Sequence, residues 1–119
     1  MSSPAPPPRL VYCRCAYAQV VPQETKDAVL RHLSDGDAAF DSIADLCEMS
    51  ARRDPRLASI AASGPVKIAA CHRRAVKWLF HAAGAPLTED TTEIVNMRVL
   101  SADEACGRLD ASDIDFTAP

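Results

Sequence analysis

Apolar positions in this chain gather in short runs that alternate with segments of helical spacing. Leu10-Val11-Tyr12 opens a strand that runs into Cys13-Arg14-Cys15. Pro22 suits a first helical position. Glu24 and Asp27 follow early, where the helix dipole favours acids. Thr25, Ala28, Val29 and His32/Leu33 recur along one face, which predicts a helix to about Leu33. Ser34-Asp35-Gly36-Asp37 ends it. Residues 38–46 are ambiguous, because Ala39, Phe40, Ile43 and Leu46 also suit a helix. The reading adopted is a short strand leading into Cys47.

The later signals are cleaner. Asp54 is an N-cap and Pro55 sits at the first helical position. Leu57, Ile60 and Ala61 share a face, and Gly64-Pro65 stops the helix. Val66 to Ala70 is a buried strand that ends at Cys71. A helix follows at once, with His72, Ala75, Val76, Leu79, Phe80 and Ala83 at helical spacing, and Gly84 with Pro86 ends it. Trp78, Leu79 and Phe80 are assigned to the core, with a partner contact as the alternative for Trp78. Glu93 to Leu100 reads as a fourth strand. Ser101 and Glu104 form a capping box for a short last helix. This alternation predicts an α/β fold: a mostly parallel four-stranded sheet with helices on both faces.

Length and charge narrow the function. The 119 residues are one domain. Residues 1–8 form a Pro-rich arm expected to be disordered, 9–108 the folded unit, and 109–119 an acidic tail. A net charge of −3 disfavours a nucleic-acid partner, which selects a basic face. No apolar run approaches the roughly 18 residues of a membrane span, and residues 1–8 lack a secretory pattern, so a cytoplasmic location is expected. A reducing compartment leaves the five cysteines to metal binding, redox chemistry or burial rather than a disulfide framework.

In a parallel sheet, ligands bind outside the carboxyl ends of the strands. Cys13 and Cys15 end the first strand, Cys47 the expected second and Cys71 the third. The fold is therefore expected to bring these four to one rim. The two side chains of Cys-x-Cys point the same way in an extended segment. Arg14, Arg52, Arg53, Arg73 and Arg74 would offset the negative charge of thiolates there. Four thiolates suit an iron–sulfur cluster or structural zinc. A third reading is thiol-redox chemistry at Cys13/Cys15, with Arg14 lowering a thiol pKa. Cys106, on the last helix, reads as a packed or half-exposed thiol. His72 adjoins Cys71 and reads as a hydrogen-bond donor or a solvent-facing side chain, with a metal ligand as the alternative. No catalytic acid/base pair or nucleophile triad stands out.

Cys47 with Arg53-Asp54-Pro55 after it, and the run Ile68-Ala69-Ala70-Cys71-His72-Arg73-Arg74, resemble two related iron–sulfur proteins over roughly Leu10 to Ala83. One is the N-terminal domain of the flavin-bearing component of heterodisulfide reductase. The other is the iron–sulfur delta subunit of methyl-viologen-reducing hydrogenase. The resemblance implies a cluster on Cys13, Cys15, Cys47 and Cys71. It implies electron transfer to or from a redox partner protein: a flavoprotein, a ferredoxin, or a hydrogenase or reductase subunit. The first pair is tighter than that of the hydrogenase protein, and the second cysteine of that protein's last motif is replaced here by Arg74-Ala75-Val76. The choice between 2Fe-2S and 4Fe-4S stays open.

Overall fold

Four strands form one sheet in the order β2-β1-β3-β4, and every pairing is parallel. The structure is a computed structural model. It describes residues 8–13, 23–36, 40–43, 46–62, 65–70, 73–88, 91–111 and 114, excepting the side chains of Cys47 and Arg73. The strands are β1 (Arg9–Cys13), β2 (Phe40–Ile43), β3 (Val66–Ala70) and β4 (Thr92–Asn96). The helices are α1 (Gln23–Asp35), α2 (Leu46–Ala51), α3 (Pro55–Ala61), α4 (Arg73–Ala82) and α5 (Ala102–Asp110).

The period of two along each strand divides the core into two layers. Val11, Ile43, Ile68 and Ile94 face α2, α3 and α4, where they meet Leu57, Ile60, Val76 and Phe80. Leu10, Tyr12, Ala69 and Val95 face the other way, against Val29 and Leu33 of α1 and Ala105 and Leu109 of α5. The connection from β1 to β2 moves one way across the sheet and carries α1. The connections from β2 to β3 and from β3 to β4 move the other way and carry α2, α3 and α4. Opposite directions use opposite faces, as a constant crossover hand requires. Burying a side chain such as Leu57 or Phe80 fully contributes about 2 kcal/mol.

Helix ends follow local chemistry. Asp54 caps α3 by accepting from the Arg56 backbone N–H at 2.9 Å, with Pro55 at the first position. Ser101 and Glu104 complete the capping box of α5 at 3.1 and 3.0 Å. The α4 helix closes with Gly84 at φ 79°, as Gly84 N–H donates to His81 O and Ala85 N–H to Phe80 O. α2 closes with the same bond pattern, Arg53 N–H to Ser50 O and Asp54 N–H to Met49 O. There the left-handed position is filled by Arg53, at φ 51°.

Three expectations are corrected. Cys47 does not end a strand. β2 stops at Ile43, and Cys47 is the second residue of α2. The fourth strand is shorter than Glu93–Leu100. It ends at Asn96, whose side-chain oxygen accepts from Arg98 N–H at 2.9 Å and whose carbonyl accepts from Leu100 N–H at 3.0 Å, turning the chain towards α5. Trp78 is not core: it is 65% exposed, while Phe80 is buried and Leu79 half-buried. Trp78 stands two residues from both Val76 and Phe80, about 200° around the helix from each, so the face that buries them turns it outward. The arm at residues 1–7, and most of the tail beyond Ala111, lie outside the described residues.

Candidate functional site at the carboxyl edge of the sheet

The strand order changes direction between β1 and β3, which lie side by side at the centre of the sheet. In open α/β sheets such a switch point opens a crevice beyond the strand ends, where ligands bind. Here β1 ends at Cys13 and β3 at Ala70, the residue before Cys71. Parallel neighbours lie about 4.8 Å apart, so the segments that carry the cysteine motifs leave the sheet from adjacent strands. At this edge Met97 N–H donates to Ala70 O at 2.8 Å, extending the β3–β4 pairing to the last residue of β3.

Of the four predicted ligands, Cys13 is described in full. It is wholly buried, pairs in register with Ile43, and shares an apolar cluster with Leu46 and Met49 of α2 and with Ala70. Its side chain therefore points into the same layer as the helix that carries Cys47, and Leu46 and Ala70 are the immediate sequence neighbours of Cys47 and Cys71. For Cys47 the backbone is described, in the first turn of α2. Cys15, Cys71 and His72, together with Arg14, lie outside the described residues. Among the described residues, no group of three or more His, Cys, Asp or Glu side chains is placed to hold a metal ion.

The arginines flanking the motifs are placed in part. Arg52, Arg53 and Arg74 are exposed. Arg52 pairs with Asp54 at 3.1 Å and lies 4.0 Å from Glu48. Ser50 Oγ–H donates to Leu79 O at 2.6 Å, which ties the end of α2 to α4.

Cys106 belongs to the other layer, half-buried on α5 against the second apolar cluster. Burial, followed by the negative charges of Asp110 and Asp103, raises its thiol pKa above the ordinary value. It therefore stays protonated near neutral pH, as expected of a packed thiol.

Sequence reasoning missed a buried ionic network at the other end of the sheet. Lys67 and Glu93 are paired in register on β3 and β4, both facing α5. Lys67 Nζ lies 3.2 Å from Glu93 Oε1 and also donates to the Arg108 carbonyl. Arg108 reaches in from α5 with a two-pronged contact to Glu93, at 2.7 and 2.8 Å. No buried side-chain polar atom among the described residues lacks a partner. The available signal was a lysine inside an otherwise apolar strand, a residue that is almost never fully buried unless paired.

Comparison of the chain with protein-family models, with curated proteins and with solved structures gives no match. The α/β fold with an all-parallel sheet thus stands on the chain's own geometry. No helix among the described residues is long and apolar enough to cross a membrane.

Proposed function

We propose that the chain is a small iron–sulfur electron-transfer module whose cluster is held by Cys13, Cys15, Cys47 and Cys71. The observation that carries this reading is the position of Cys13. It lies at the switch point, is fully buried, and shares one apolar cluster with Leu46 and Ala70, the residues next to Cys47 and Cys71. A metal centre that exchanges electrons benefits from such surroundings, because burial and nearby charge tune its potential. The cluster would supply one-electron chemistry. The chain's own part is to hold the thiolates and exclude water with the α2 and α4 side chains. The same burial disfavours Cys13 as an attacking thiol, which needs access to its target.

The test is purification without oxygen, followed by visible absorption and assays of iron, acid-labile sulfide and zinc per chain. Brown protein containing iron and sulfide, whose colour disappears in Cys47→Ser, supports the reading. Colourless protein with about one zinc per chain, unfolding with chelator, would replace it with a zinc-stapled binding domain. Metal-free, folded protein sinks both.

A further inference from the structure

The two helical layers carry opposite charge. On α2, α3, α4 and the turn between the first two, the described basic residues are Arg52, Arg53, Arg56, Arg74 and Lys77, against Glu48 and Asp54. On α1 and α5, the acids are Glu24, Asp27, Asp35, Asp103, Glu104 and Asp110, against Lys26, Arg31 and Arg108. Arg108 is moreover already engaged by Glu93. A chain of net charge −3 thus presents one basic helical layer.

Within that layer, α4 contains no acidic residue. Arg74, Trp78 and His81 are spaced four and three apart on its exposed side, and the Trp78 and His81 rings lie 6.0 Å apart. Trp78 and Val99 are the large apolar side chains left exposed among the described residues. Arg74 and Arg56 sit in first helical turns that hold no acid, where the dipole disfavours a cation. Arg53 occupies a left-handed position that glycine fills more cheaply. Helix stability accounts for none of these three placements.

We propose that the outer surface of the α2–α3–α4 layer, centred on Trp78, docks an acidic protein segment that carries an apolar residue. An exposed tryptophan on a helix that also exposes Arg74 and carries no acid has the composition of an interface hot spot. The basic residues select the sign of the partner and speed its approach. Nucleic acid fits less well, because the opposite layer and the chain as a whole are acidic. The surface stands independently of any cluster at the strand ends.

The experiment uses the full chain and a labelled synthetic helical peptide of glutamate and leucine, read by anisotropy and by the emission of Trp78, the chain's single tryptophan. Controls are the same peptide with lysine for glutamate, oligothymidylate, and phosphatidylserine vesicles. The expected result is a blue shift of Trp78 emission and binding that weakens about tenfold between roughly 20 and 200 mM salt. Trp78→Ala, and Arg56→Glu combined with Arg74→Glu, should each weaken it about fivefold or more. Arg53→Glu, beyond the last residue of α2, repeats the charge reversal away from the first turns of α3 and α4. The proposal is overturned if the acidic peptide does not bind at low salt, if these variants bind it unchanged, or if the lysine peptide, the oligonucleotide or the vesicles bind as tightly.

Discussion

Lys67 and Glu93 face each other across β3 and β4 with their charged atoms 3.2 Å apart, both with under 2% of the side chain exposed. Arg108, closing the network from α5, keeps 30% of its side chain exposed. The three partners are unequal. Among the described residues Glu93 answers both cations, so Glu93→Gln takes this countercharge from buried Lys67 and should destabilise the fold by about 3–5 kcal/mol. Lys67→Met leaves the Glu93–Arg108 contact in place and should cost less than half as much. Urea unfolding of the two variants compares them directly, and equal losses would show that the ionic ranking is wrong.

Two helices end in the same bond pattern but fill the left-handed position differently. At Gly84 an added Cβ would meet nothing within 4 Å, so Gly84→Ala should cost only the backbone penalty of about 1 kcal/mol. At Arg53 the change runs the other way. Arg53→Gly should raise stability by a few tenths to about 1 kcal/mol, while reducing the basic charge of the α2–α4 layer. Shifts of the same sign in thermal unfolding would contradict the assignment of these positions.

The capping box of α5 links stability to pH. Ser101→Ala removes the acceptor for Glu104 N–H and should cost about 1 kcal/mol. Hydrogen bonds from the Ser101 backbone, then from its side chain, lower the pKa of Glu104 below its ordinary value. A depressed carboxylate stabilises the fold above its unfolded pKa and loses that contribution as pH falls through its folded one. Unfolding measured from neutral pH down through the carboxylate range should therefore show a smaller acid loss in Glu104→Gln than in the parent chain.

Cys106 should react slowly with a disulfide reagent near neutral pH and faster only above the ordinary thiol range, because burial and the charges of Asp110 and Asp103 raise its pKa. Asp103→Asn and Asp110→Asn should each accelerate labelling at fixed pH. Rates that ignore both changes would leave burial as the sole cause.

The edge position of Cys13 was legible in the sequence, because Leu10 to Tyr12 leads into it without a break. The setting of Cys47 was not. Residues 38–46 carry both periods at once, and a six-residue helix too short to nucleate alone is held by packing, with Leu46 and Met49 buried and Ser50 bonded to α4. Trp78 was misread for another reason. The spacing of Val76 and Phe80 already turned it outward, against its grouping with Leu79 and Phe80 as core.

From local chemistry alone come the strands around Val11 and Ile68, the caps at Asp54 and Ser101, and the glycine stop at Gly84, since each depends on residues within a few positions of one another. Tertiary structure decided the rest. It placed Lys67 opposite Glu93 and under Arg108, and set Cys13 into the layer of Leu46 and Ala70. It also left one basic helical layer facing solvent with Trp78 on it. Those outcomes depend on strand order and register, which bring together residues tens of positions apart and which no local pattern encodes.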